Sequence, residues 1–176
     1  MKLLVLALVA AAVVFGAKCM TIRTDLVAER QAIDADWAQV DSALAQRAGI
    51  VPELAGLVQS EAPAATGALP PLNDAKDILI GAHTQQEKIK ANAQLDEALA
   101  RLMLAVESYP KLDNGKPYGD LLDALKGAEY QIDVARRKYN EAVEHYNAHI
   151  DVFPNNMVAS LSRLGKIDVY FQTPAI

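Results

Sequence analysis

Glu141, His145 and His149 follow one another at intervals of four in "RRKYNEAVEHYNAHI", residues 136–150. Four residues is close to one helical turn, so a carboxylate and two imidazoles stack along one face, and these donor types hold divalent metals such as zinc. His145 is followed by Tyr146, not by the glutamate that would complete His-Glu-x-x-His, and the third histidine, His83, is distant in the chain. Boundary histidines on a solvated helix are the alternative. The expectation is no metal and no cofactor, with Glu141, His145 and His149 as the residues to check.

The same stretch repeats the pair Tyr-Asn, at Tyr139-Asn140 and Tyr146-Asn147. Two phenols and two amides could face a ligand, or they could belong to a helical seam. Heptads counted from Tyr139 place Leu125, Ile132, Tyr139, Tyr146 and Phe153 on one stripe, flanked by the small residues Ala128, Ala135 and Ala142. Small residues beside a large stripe let another helix approach, so the seam is the favoured reading. Asn140 and Asn147 then sit about 100° further round, where an amide can bond a neighbouring helix. Trp37, on the stripe of an earlier helix, is expected in the core. The expected structural core is therefore Trp37, Leu125, Ile132, Tyr139, Tyr146 and Phe153.

Other arrangements that could carry chemistry are sparse. Asp34 with Asp41, and Asp120 with Asp123, could do acid-base work, but 22 acidic residues in a helical chain produce such pairs by chance. There is no Gly-rich phosphate loop, nucleophile elbow or Ser/His/Asp arrangement, so the expectation is a protein without catalysis. A formal charge of -5 argues against nucleic acid as the main partner. The one dense basic cluster, Arg136-Arg137-Lys138, stands among Glu129, Asp133, Glu141 and Glu144 and reads as a solvated helix face.

The elements that position these residues are helices. The chain of 176 residues is 52% hydrophobic and poor in β-branched runs, which suits one all-α domain. The amino terminus has Lys2, an uncharged apolar run from Leu3 to Ala17, then Lys18. This is a signal or anchor segment, extended to residues 3–22 if Lys18 snorkels. A retained anchor, a cleaved signal and lipidation at Cys19 are the three outcomes weighed, and the anchor is preferred. Lys2 and the amino group on one side against Lys18, Arg23 and Arg30 on the other leave sidedness undecided, leaning extracytoplasmic.

From Ile22 the period is helical through Leu26, Ile33, Trp37, Val40 and Leu44, and Pro52 can start or kink a further segment. The run "PAATGALPP", residues 63–71, is expected to be a loop, and Asn73 is expected to cap a helix that runs to Tyr109, where Pro110 stops it. Residues 110–120 read as a turn and the last long helix ends at Phe153-Pro154. The tail adds a short amphipathic piece and an aromatic pair, Tyr170-Phe171, that either docks on the helices or engages a partner or bilayer surface. The expected architecture is an antiparallel bundle of three to four long helices with an N-terminal membrane or signal helix. Its expected divisions are 1–20 as the anchor, 21–154 as the bundle and 155–176 as the tail.

The stretches "AERQAIDADWAQVDSALAQRAGIVPEL", "AVESYPKL" and "LKGAEYQIDVARRKYNEAVEHYNAHIDVFPNN" resemble the LemA family, and with the apolar terminus the resemblance covers nearly the whole chain. It implies a helix bundle joined to a single amino-terminal membrane segment, in a family with no agreed enzymatic activity. The chain departs from the family pattern at Asp25-Leu26, at Pro52-Glu53-Leu54, after Val58 and near its end. The expected function is a membrane-tethered helical scaffold or adaptor in the bacterial envelope. It would meet the bilayer through residues 3–22 and present its helices, with coiled-coil-like seams, to another membrane or envelope protein. The alternative is a metal- or ligand-binding helical module.

Overall fold

The computed structural model describes residues 2–172, and the side chains at positions 3–5, 7–9 and 11 lie outside that description. The described residues are all-helical, without a strand. They form α1 (Lys2–Glu61), a 3-10 segment (Pro63–Ala68), α2 (Leu69–Gly81), α3 (Gln85–Val106), α4 (Pro110–Asp113), α5 (Lys116–Asp151) and α6 (Asn155–Leu161). Pro52 lies inside α1. It removes the bond its N–H would make to Ala48, yet the helix continues through it.

Two compact units are present, one of Met1–Asp36 with Lys138–Tyr170 and the other of Trp37–Arg137 with Phe171–Ile176. The division falls within α1 and within α5.

In the first unit α1 contributes Leu26 and Ile33, α5 contributes Tyr139, Val143, Tyr146 and Ile150, and α6 contributes Val158 and Ala159, all buried. Each large aliphatic side chain so covered contributes roughly 1.5–3 kcal/mol. Two polar contacts fix direction: Lys138 Nζ lies 2.7 Å from Asp36 Oδ1, and His149 Nδ1 lies 2.8 Å from Glu29 Oε1. Descending along α1 is ascending along α5, so the two helices are antiparallel here.

In the second unit the residues 37–61 of α1 bury Val40, Leu44, Val51, Leu54 and Val58, and α3 buries Leu95, Leu99, Leu102 and Val106. Leu125 and Ile132 of α5 are buried, as is Tyr118. A three-residue link between α2 and α3 makes them a helical hairpin.

The helix expected from Asn73 to Tyr109 is two helices. Thr84 caps α3 through a reciprocal box: its hydroxyl accepts from the Glu87 N–H at 3.2 Å, and Glu87 Oε2 accepts from the Thr84 N–H at 3.0 Å. Asn73 lies inside α2, which begins at Leu69 because Pro70 and Pro71 occupy first-turn positions where a missing N–H costs nothing. The expected turn at 110–120 contains α4 and the first turn of α5.

Phe153 is a correction to the expected core. Its side chain is 69% exposed, because α5 ends at Asp151 and the heptad count has no meaning past that point. Among the described residues no helix is long and apolar enough to cross a membrane. Much of the expected span at 3–22 rests on the side chains at 3–5, 7–9 and 11, outside the described residues.

Candidate functional site

The doubled Tyr-Asn pair proves to be half of a clasp. After α6 the chain doubles back along α5 as an irregular strap, residues 163–170, and both tyrosines reach it. Tyr139 Oη donates to the Val169 carbonyl at 2.9 Å, and Tyr146 Oη donates to the Gly165 carbonyl at 3.2 Å. Between them Asn147 accepts from the Ile167 N–H at 2.9 Å and donates to the Ile167 carbonyl at 2.8 Å, with a further bond to Tyr170 Oη at 3.0 Å. Arg163 and Leu164 bond back to the Ser160 and Ala159 carbonyls of α6, and beyond them these α5 side chains take the place of secondary structure in satisfying the strap's backbone. Asn147, at the seam margin where an amide can bond a neighbouring helix, bonds the tail. Asn155 closes the α5–α6 corner by donating to the His149 carbonyl at 3.0 Å.

Burial pushes the Tyr139 phenol above its ordinary value, and the nearby Asp34 and Tyr170 add to it. Neither tyrosine lines an open cleft, since both are fully buried. In the second unit Trp37 is half-buried, its ring 6.4 Å from that of Phe171, which is buried.

The metal candidates are not brought together. Glu141 is exposed, and His149 is turned to Glu29, which also lies 3.9 Å from His145 Nδ1. The two imidazole rings are 6.1 Å apart. Among the described residues no group of three or more His, Cys, Asp or Glu is placed to hold a metal ion. The carboxylate that matters at these histidines comes from α1, across the helix pair, which spacing within α5 could not reveal. Asp41, Asp120 and Asp123 each pair with their own lysine, Lys88, Lys116 and Lys126.

A cluster that sequence reasoning missed lies in the second unit. Arg47, 6% exposed, sends its guanidinium from α1 to α3 and α5 at once. Nη1 lies 3.0 Å from Asn92 Oδ1 and 2.5 Å from Asp96 Oδ1, while Nη2 lies 3.0 Å from Glu129 Oε2. Asn92 also donates to Asp96 at 3.3 Å. A planar fork suits this task, since each edge can meet a separate carboxylate. Burial pushes the Glu129 carboxyl up; Arg47 opposes the shift, and Asp96 and Asp133 reinforce it. A cleft of about 420 Å³ opens beside the cluster, lined by Asp96, Glu129, Asp133, Arg136 and Lys90 among apolar neighbours. Its charges are of both signs, Lys90 and Arg136 beside Asp96, Glu129 and Asp133, so it is not a funnel for one kind of ion.

One unit braced by the Arg47 fork, and another that holds the tail with two phenols and an amide, make this an all-α helical protein. The chain belongs to the LemA family, whose profile matches residues 36–175. It is also similar to the magnetosome proteins MamQ 1 and MamQ 2 of Paramagnetospirillum magneticum, 31% identical over 85 residues, which is 48% of this chain and 31% of each relative. MamQ of Magnetospirillum gryphiswaldense is 27% identical over 85 residues. The match thus spans less than a third of the length of these relatives.

Proposed function

We propose that the protein is a membrane-tethered helical scaffold or adaptor, anchored by one pass through residues 3–22 and without catalysis of its own. Its helical body faces the extracytoplasmic side and presents surface to another membrane or envelope protein. One observation carries the reading: α1 is a single helix, and the helix that buries Leu26 and Ile33 leaves Val13, Val14, Phe15 and Met20 between 57% and 73% exposed. Apolar side chains in a row without cover are unfavourable in water by roughly 25 cal/mol per Å². A bilayer supplies that cover. As helix, residues 3–22 extend about 30 Å, the thickness of the hydrocarbon layer, with Lys18 able to reach the headgroups along its stem. The magnetosome relatives match this chain over 85 residues, 31% of their own length, so their cellular role is not carried over.

The test is fractionation of native membranes with and without residues 1–20, followed by alkaline extraction and co-purification. The full chain is expected to stay in the extracted membrane and to retain a partner after gentle solubilisation. Release of the full chain by alkali would overturn the anchor, and loss of every partner on gentle solubilisation would overturn the adaptor role.

A further inference from the structure

The end of the first unit from which the apolar part of α1 emerges carries a second uncovered apolar surface. Because α1 and α5 are antiparallel with Glu29 opposite His149, the residues after α5 lie level with the turns of α1 where its packing begins, near Ile22 and Leu26. There Val152 and Phe153 form the corner into α6, exposed by 59% and 69%. Helix α6 buries Val158 and Ala159 and turns Met157 and Leu161, one turn apart, outward at 52% and 84% exposure. Basic groups outnumber acids around it: Lys18 and Arg23 on α1 and Arg163 after α6 are exposed, Asp151 is engaged by Lys166 at 2.7 Å, and Asp25 on α1 is an exposed acid at the same level.

We infer that Val152, Phe153, Met157 and Leu161 form a second membrane contact, lying in the headgroup region of the leaflet that α1 enters, with Lys18, Arg23 and Arg163 toward anionic lipid. This rests on the anchor reading of α1. A short apolar ridge bordered by basic residues suits the interface, where side chains sit about 5–10 Å deep and charge is drawn to acidic headgroups. The bilayer is chosen over a second copy of the chain because Val152 and Phe153, where the ridge starts, lie at the level where α1 leaves the packed helices. A surface at that height meets lipid whenever α1 is inserted.

The test uses the full chain with Cys19→Ser, reconstituted into vesicles of phosphatidylethanolamine and phosphatidylglycerol and carrying one nitroxide on Met157→Cys, Leu161→Cys, Val13→Cys or Leu104→Cys. These sites are exposed, so labelling does not disturb packing. At 157 and 161 the ratio of collisions with oxygen to collisions with an aqueous nickel chelate is expected to be several-fold higher than at 104. Aqueous values at 157 and 161 with a lipid value at 13 would sink the inference and leave the anchor standing. An aqueous value at 13 as well would sink both. Spin-spin broadening at 157 with aqueous accessibility would show a second copy there, which also overturns the inference.

Discussion

Asn147 holds Ile167 by both edges of its peptide group, Oδ1 accepting from the N–H at 2.9 Å and Nδ2 donating to the carbonyl at 2.8 Å. A side-chain amide thereby does for one residue of the strap what a neighbouring strand would do, and Ile167 can sit in irregular chain with both its peptide groups paired.

Asn147→Leu removes both bonds and leaves two half-buried backbone groups without partners. Each such loss costs about 1 kcal/mol, so stability should fall by about 2 kcal/mol, read as a lower urea midpoint at unchanged slope. Asn147→Asp keeps the acceptor and should lose about half as much. An unshifted midpoint in both variants would show that the strap adds nothing to stability.

Two of the six tyrosines, Tyr118 and Tyr139, should ionise late in an ultraviolet titration. Burial raises both above 10.0, aided at Tyr118 by Asp113 and Glu107. The unfolded chain releases these protons first, so the stability they contribute is complete below pH 10.0 and is lost as pH climbs beyond it. Tyr139→Phe should lessen that alkaline loss while costing about 1 kcal/mol at neutral pH through the missing bond to Val169.

Replacing Arg47 with Met takes one cation from Asp96 and Glu129 together. Those carboxylates are 37% and 46% exposed, so water recovers part of the loss, and about 2 kcal/mol of destabilisation is expected. Arg47→Lys should recover less than half of it, because an ammonium cannot meet both carboxylates with a fixed fork. Full recovery by lysine would show that charge alone holds the cluster.

Glu129 titrates in the opposite sense to most paired carboxylates. Its folded value lies above 4.5, so folding favours the protonated form, and stability falls as pH rises from 4.5 through the raised value. Glu129→Gln should flatten the curve in that interval. A steeper wild-type loss on the acid side would mean that Arg47 dominates over burial.

At the start of α3 the sign reverses. Donation from the Thr84 and His83 backbone N–H groups, and from the Thr84 side chain, lowers Glu87 below 4.5. Its contribution is present above pH 4.5 and disappears as pH falls through the lowered value. Thr84→Ala should cost about 1 kcal/mol, and Glu87→Gln should abolish the acid-side change in helix content seen by circular dichroism.

Periodicity made much of the packing legible before any coordinates. Leu125, Ile132, Tyr139 and Tyr146 recur every seven residues, and all four are buried because α5 is unbroken across them. The same arithmetic failed at Phe153, where the helix had already stopped. Thr84 and Glu87 spell a helix start three residues apart, yet a reading by apolar spacing passed over them and joined α2 to α3. Pro70 and Pro71 read as loop residues by their breaker character, although a first helical turn accepts both. Arg47 and Asn147 were out of reach for a different reason. Their partners stand 45 and 20 residues away, and no local period records where a polar side chain finds its mate.

Between Gly16 and Asp36 helix α1 contains neither glycine nor proline, and it passes without a joint from its bare apolar turns to the turns that clamp α5. Such a segment is a shaft and not a leash. Twisting or tilting its outer end turns Glu29 and Asp36 by the same angle, so whatever grips the first turns also sets the bearing of His149 and Lys138 opposite.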